Sequence, residues 1–342
     1  MDFSLFYFAD GGLSTAEAYR LLIEGARFAD RHGFTAVWTP ERHFHQFGGS
    51  YPNPAVTAGA LSAITERIGI RAGSVVAPLH HPLRIAEDWA VVDNLSGGRA
   101  GLSLASGWHP HDFVFRPEAY ADRRDLTIQV IDTLRGLWHG EPYSGDDVPG
   151  DAVLRVHPRP VQDPIPLWLT SGGATDTFEA AGKSGVGVLT HLMSQSVDEL
   201  AGKVAAYRTA YAASGRPGRG HVVLMLHTYL DHDLDAAHQV VSEPLQRYLV
   251  SALDLSRNSG GRGAAARPAP TPAAARLGVR AAYERYLHRD GLFGSVGHAR
   301  DIVERVAGAD VDEIAALVDF GVPVDAALIG LRPLAQLREA CR

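Results

Sequence analysis

Apolar residues fall into two alternating patterns along this chain. Short unbroken apolar runs are followed by longer stretches in which apolar positions return every third or fourth residue. The runs read as strands buried on both faces, and the longer stretches as amphipathic helices. The first run is Phe3–Phe8, with Asp10-Gly11-Gly12 turning the chain out of it. Thr15–Arg31 then sets Ala18, Leu22, Ala26 and Ala29 at helical spacing, with Ser14 as N-cap and Gly33 as stop. Further strands are predicted at Ala36–Trp38, Ile68–Val76, Arg99–Ala105, Leu167–Leu169, Val186–Leu189, Val222–Leu230 and Glu313–Val318. Helices are predicted from Pro54 to Glu66, Pro82 to Leu95, Arg123 to Trp138, and after Gly173 to Lys183. Others run from a Ser196 cap to Ala213, from Leu234 to Leu255, from a Ser295 cap to Ala307, and from Ala326 to Glu339. Gly140–Pro164 is an excursion rich in Gly, Pro and Asp, and Ser256–Ala275 is dominated by Gly, Ala, Pro, Arg and Ser. The second of these buries little apolar surface and reads as a mobile loop, long enough to serve as a lid. Strands alternating with helices eight times predict an α/β fold, a single (β/α)8 TIM barrel over residues 1–342 with insertions.

Composition narrows the classes of function. The chain has 342 residues, 46% of them hydrophobic and 21% charged, the profile of a globular protein. A net charge of −7 and the lack of a basic stripe argue against nucleic acid as partner. No apolar run approaches the length of a membrane span, so no membrane is expected. The stretch Phe3–Ala9 lacks a positive flank and a cleavage site, which reads as a strand rather than a signal peptide. The one cysteine, Cys341, offers no disulfide framework and no thiolate cluster. A cytoplasmic enzyme is the expectation.

Candidate chemistry gathers where strands end, the face on which parallel barrels keep it. After Trp38 the chain breaks at Pro40 and sends out Glu41, Arg42, His43 and His45 among aromatics. Ser106-Gly107-Trp108-His109 follows the fourth strand, where it either lines an aromatic ligand or packs as a surface loop. His80-His81-Pro82 reads as a helix-entry turn, and His191 and His227 fall on or near later strand ends. Ser171-Gly172-Gly173 hands a strand to a helix, which suits a phosphate at a helix N-terminus or simply a tight turn. His43, His45, His191 and Asp319 would suit a metal-dependent amidohydrolase barrel. That class ends its first strand, not its second, in His-x-His, and no bridging Lys follows the fourth strand, so no metal is expected.

Four segments, together and in order, resemble the luciferase-like flavin-dependent monooxygenases over nearly the whole chain. They are Trp38-Thr-Pro-Glu-Arg-His-Phe44, Gly73 to Glu87, Leu95 through Phe113, and Ser171-Gly-Gly173 ahead of Gly187-Val-Leu189. The ending Asp312–Gly321 is most similar to the mupirocin-type branch associated with polyketide and peptide synthetases. The resemblance implies a barrel of the bacterial-luciferase type that binds reduced FMN at its C-terminal mouth. It implies a phosphate site at Ser171, Gly172 and Gly173, flavin contacts from Ser106, Gly107 and Trp108, and a ring resting on a bulge near Ser74 and Val75, often with a non-prolyl cis peptide. His43 is then the residue to stabilise or protonate the peroxide formed from flavin and O2, and Arg42 a holder of that group or of an anionic substrate. His109, His191 and His227 become substrate contacts. A separate flavin reductase, a homodimer, and a small natural-product substrate, free or bound to a carrier protein, are the implied partners.

Several positions depart from relatives within that family. Arg42 stands where bacterial luciferase has the first histidine of Glu-His-His-Phe, Ser106 where it has a phosphate-binding arginine, and Ala105 where it has a flavin-facing cysteine. Met225 and His227 stand where sulfonate monooxygenases carry Arg-x-His. Neither light emission nor a sulfonate substrate is therefore implied. An F420-dependent oxidoreductase of the same fold, which exchanges hydride without oxygen, and a non-catalytic flavin-binding relative are the alternatives.

Overall fold

The computed structural model describes residues 1–9, 12–144, 148, 152–258 and 272–342, with side chains left out at 253–258 and 272–276. In chain order the elements are β1 (Asp2–Phe6), α1 (Thr15–Arg31), β2 (Ala36–Thr39), α2 (Pro54–Ser62), β3 (Gly69–Val76), α3 (Pro82–Ser96) and β4 (Ala100–Ala105). They continue with α4 (Arg123–His139), β5 (Leu167–Ser171), α5 (Thr175–Lys183), β6 (Gly187–His191), α6 (Val197–Ala213), β7 (Val222–Leu230) and α7 (Leu234–Asn258). The last are α8 (Pro272–Arg285), β8 (Leu292–Gly294), α9 (Val296–Gly308), β9 (Glu313–Leu317) and α10 (Val324–Ala340). Neighbouring strands pair in parallel from β1 to β6, and the sheet closes through β6 on β7, β7 on β9 and β9 on β1. The result is a closed eight-stranded parallel barrel wrapped by helices, with β8 added to the end of β7 outside the ring.

Local signals fix many boundaries. Ser14 and Ser196 cap α1 and α6 in full capping boxes with Glu17 and Glu199, and Gly97 ends α3 in the left-handed conformation. Other boundaries moved. β1 stops at Phe6 rather than Phe8, α2 stops at Ser62 rather than Glu66, and the three-residue β8 lacked the length to give a periodic signal. The stretch 256–275 is not all loop: its first three residues continue α7, and its residues from Pro272 belong to α8. The remainder, 259–271, lies outside the described residues, as do Asp10, Gly11 and parts of the Gly140–Pro164 excursion.

The base of the barrel is sealed. Glu313, fully buried, accepts from Ser4 Oγ, Trp38 Nε1 (3.1 Å) and Arg71 Nη1 (2.8 Å). The Arg71 guanidinium sits 4.9 Å from the Trp38 ring and 4.7 Å from the Trp168 ring. Trp168 fits because its neighbour on β6 is Gly187: a Cβ there would come 2.2 Å from the indole. A charge-satisfied aromatic plug leaves the opposite, C-terminal mouth as the place for a ligand.

Candidate active site

β2 delivers Glu41, 8% exposed, to the mouth, and three donors from two segments converge on it. His43 Nε2 and His80 Nε2 both donate to Oε1, at 2.8 and 2.6 Å, and the Val76 backbone N–H donates to Oε2 at 2.7 Å. Burial would raise the Glu41 carboxyl, but the hydrogen bonds from His43, His80 and Val76, with the charge of His80, hold it below the ordinary carboxylate range. For His80 burial pulls down, and the bond to Glu41 with its charge outweighs it, so the pKa is raised. An ionised carboxylate only accepts, so both imidazoles carry their proton on Nε2. His43 Nδ1 is then the nitrogen left for exchange with a ligand. Sequence reading placed His80 in a helix-entry turn. Its neighbour His81 does that work, capping α3 by accepting from the Leu83 N–H, while His80 belongs to the Glu41 cluster.

Beside this cluster Arg42 and Asp112 form a buried ion pair, with side chains 2% and 4% exposed. Arg42 Nη1 donates to both carboxylate oxygens, at 2.9 and 2.7 Å, while Nε and Nη2 are buried without a hydrogen-bond partner among the described residues. Burial pushes the Asp112 carboxyl up, and Arg42 pulls against that shift. Trp108 lies over the guanidinium, 5.3 Å from ring centre to its carbon. Its loop turns at Gly107, φ +71°, where a Cβ would meet Val76 at 2.8 Å and Phe113 at 2.9 Å, so only glycine fits. His109 is buried next to Arg42 with Nδ1 unpartnered, and burial, reinforced by Arg42, His111 and His45, lowers its pKa to about 4.

The β3 side of the mouth is irregular. The Gly73–Ser74 peptide is cis, and the register with β4 skips Ser74 between Gly73 and Val75. Ser74 Oγ shares a hydrogen bond with Thr170 Oγ1, which also meets Ser103 Oγ at 2.6 Å, a chain of three hydroxyls across β3, β4 and β5. At the end of β5 the Ser171 side chain accepts from the Gly173 N–H at 3.1 Å, and Ser194 Oγ donates to the Gly172 carbonyl. From the β6 side Thr190 Oγ1 donates to the Ser171 carbonyl at 2.9 Å. The turn is braced, yet a Cβ on Gly172 would meet nothing within 4 Å, and the N-cap of α5, Ala174, supplies no side-chain cap. Open space beside uncapped first-turn N–H groups leaves room for an anionic group such as a phosphate.

His191 and His227 end up at the mouth on the far side, in register with Met225 and Leu317 respectively. Burial lowers their pKa values to about 4 and about 3, so both are neutral imidazoles. His227 Nε2 is buried among the rings of Tyr248, Tyr286 and Phe320, without a hydrogen-bond partner among the described residues. Residues suggested for a metal go separate ways. Asp319 accepts from the Phe8 and Ala9 N–H groups and from Tyr51, His45 Nδ1 from the Phe47 N–H, and His43 is tied to Glu41. No group of three or more metal-ligating side chains is placed to hold an ion among the described residues. The mouth thus gathers His43, Arg42, Trp108 and His109 in one quadrant, Ser74, Val75 and Ser171–Gly173 in the next, and His191 and His227 opposite. Sequence reading named Glu41 in the strand-end cluster without giving it a role, read His80 as part of a turn, and gave no role to Asp112 or Thr170. The one available signal was Glu41 itself, a carboxylate leading directly into Arg42 and His43 in a strand-end loop.

A family model described as luciferase-like monooxygenase matches residues 1–313. The chain is 28% identical over 227 residues to the oxygenase component of the flavin-dependent trigonelline monooxygenase of Acinetobacter baylyi, covering 64% of this chain and 62% of that protein. It is 29% identical over 205 residues to the 4-hydroxyprotoasukamycin monooxygenase of Streptomyces nodosus subsp. asukaensis, covering 58% and 54%. Each match thus spans less than two thirds of the relative's own length. Among solved structures, monooxygenase RslO1 from Streptomyces bottropensis superimposes with a TM-score of 0.82 at 22% identity over 98% of both chains, which shows the shared fold. No helix among the described residues is long and apolar enough to cross a membrane. On the strength of the family match over residues 1–313, the chain belongs to the luciferase-like monooxygenase family.

Proposed function

We propose that this protein is the oxygenase component of a two-component system, taking reduced FMN from a separate reductase and using O2 to oxygenate a small organic substrate. The observation that carries the reading is the coexistence, at one barrel mouth, of an open phosphate cradle at Gly172 and a histidine, His43, locked in one tautomer by Glu41. Bound reduced flavin would supply the activation of oxygen. Ser171, Gly172 and Gly173 hold its phosphate, and Ser74 and Val75 with Ser106, Gly107 and Trp108 flank its ring. His43 holds or moves a proton through Nδ1, Arg42 fixes a ligand oxygen, and neutral His109, His191 and His227 line the substrate side. The relative named as an oxygenase component supports the reductase partner, and the one acting on 4-hydroxyprotoasukamycin supports a natural-product substrate. Exposed Val56 on α2 and Val91 and Leu95 on α3, two helices packed together, offer an apolar face for a homodimer.

Anaerobic titration with reduced FMN and, in parallel, with reduced F420 tests the cofactor. Tighter binding of reduced FMN than of either oxidised FMN or F420 is the expected result. Preferential binding of F420 would assign the chain to hydride transfer instead.

A further inference from the structure

Arg42 carries an unfinished contact. Asp112 engages only Nη1, leaving Nε and Nη2 buried and unpartnered among the described residues. These two nitrogens share one edge of the planar guanidinium and present parallel N–H donors, the arrangement that grips oxygen. Leaving cationic donors buried without an acceptor is costly, and each such group in a native fold calls for an explanation. A ligand oxygen explains both at once. His109 Nδ1 is a further unpartnered nitrogen in the same quadrant, on a side chain 6% exposed.

Charge selects the kind of oxygen. The Arg42 guanidinium is already balanced by Asp112, and the Glu41 carboxylate is near enough to add its repulsion to the burial that pushes Asp112 up. His109 is neutral at working pH. Asp112 is paired with Arg42 and Glu41 with His80, so an anionic ligand would bury an unbalanced negative charge, whereas a carbonyl accepts both N–H groups and adds no charge. Next to His43, the neighbour of Arg42 in the chain, Phe44 and Phe115, 64% and 54% exposed with ring centres 5.4 Å apart, form an apolar surface.

We propose that the Nε–Nη2 edge of Arg42, roofed by Trp108, receives a neutral carbonyl oxygen of the substrate, whose apolar body lies against Phe44 and Phe115. This rests on the oxygenase reading and replaces the anionic substrate expected for Arg42 with a carbonyl compound such as a ketone or quinone. Trp108 is 42% exposed and the other four tryptophans are buried, so a ligand that displaces this roof reports itself in the fluorescence of one residue.

The probes are 1-tetralone, its oxygen-free counterpart tetralin, and 1-naphthoate as a carboxylate of similar size. Each is titrated into the full chain by Trp108 fluorescence, with the carbonyl stretch of 13C-labelled tetralone read by infrared difference spectroscopy. Tetralone should bind at least about 10-fold tighter than tetralin and naphthoate, with its carbonyl stretch moved to lower frequency. The double variant Arg42→Met/Asp112→Leu removes the ion pair without orphaning a charge and should lose that preference and that shift. If it does not fold, Arg42→Lys serves, since it keeps the charge but lacks the two-donor edge. Tightest binding of naphthoate, equal binding of tetralone and tetralin, failure of every probe to bind, or a shift that survives in the variant would each overturn the proposal. Reduced FMN is titrated separately into the same samples. Absence of the carbonyl preference in the wild type with intact FMN binding sinks only the carbonyl contact at Arg42, and absence of FMN binding to the wild type sinks only the oxygenase reading.

Discussion

Replacing Glu41 by Gln changes one atom and tests the hub of the site. The carboxylate accepts from His43, His80 and Val76 through two oxygens. An amide has one oxygen and one NH2. If the oxygen stays on the histidines, NH2 faces the Val76 N–H; if it flips, NH2 faces two imidazole donors. The first arrangement sets a buried donor against a donor at a cost of about 1–3 kcal/mol, the second makes both imidazoles move their proton to Nδ1 so that Nε2 can accept, and in either the charge-assisted bonds lose another 1 kcal/mol or so. A total of up to about 3 kcal/mol is expected. Unfolding entropy of about 2.1 cal/mol/K per residue over 342 residues gives roughly 0.7 kcal/mol/K, so the melting temperature should fall by up to about 4 °C. The titration of His80 is the sharper readout. In the wild type burial pulls its pKa down and Glu41 raises it; in the variant only the weaker pull of Asp88 opposes burial and Arg116, so it should fall below the wild-type value. Linkage then fixes the pH window. The lowered Glu41 stabilises the fold above its unfolded pKa of about 4.3 and loses that as pH falls, and the raised His80 stabilises it below about 6.5 and loses that as pH rises. The stability difference between wild type and Glu41→Gln should therefore be greatest between about pH 4.5 and 6.5 and narrow on either side. Histidine-resolved NMR titration and thermal melts across pH 4–8 measure both. An unchanged His80 titration, or a stability difference that grows steadily from acid to base, would refute the reasoning.

Gly172→Leu should leave the melting temperature of the unliganded protein within about a degree, since its Cβ meets nothing, and weaken reduced FMN at least about 10-fold by filling the cradle. Calorimetric titration decides it, and unaltered affinity would move the phosphate elsewhere. His43→Ala should fold and bind flavin while coupled product formation falls by roughly 10²-fold. His43→Asn keeps a donor toward Glu41 but carries no exchangeable acid, so full activity in that variant would leave His43 a positioning role only.

Short-range physics made much of the fold legible. Ser14 with Glu17 and Ser196 with Glu199 lie three residues apart, and such caps form wherever the local chain turns into a helix. The apolar run Val222–Leu230 needs only its own composition to demand burial on both faces, which with seven similar runs and intervening helices specifies a barrel. The strand-end positions of His43, Ser171 and Gly172 follow from the same alternation, so the mouth was legible as a place. Its wiring was not. Glu41 meets His80 across 39 positions, Arg42 meets Asp112 across 70, and Asp319 reaches the Phe8 N–H across 311. No periodicity encodes those pairs, because they exist only once the barrel closes and brings its strand ends round to face one another. Closure also strips water from Arg42 and His109, and that desolvation, invisible in a linear chain, is what leaves some of their nitrogens buried without a partner among the described residues. The sequence alone determined the eight barrel strands, most of the helices and the face of the barrel that carries the polar residues. The tertiary structure decided which of those residues are satisfied by one another and which are left with binding capacity.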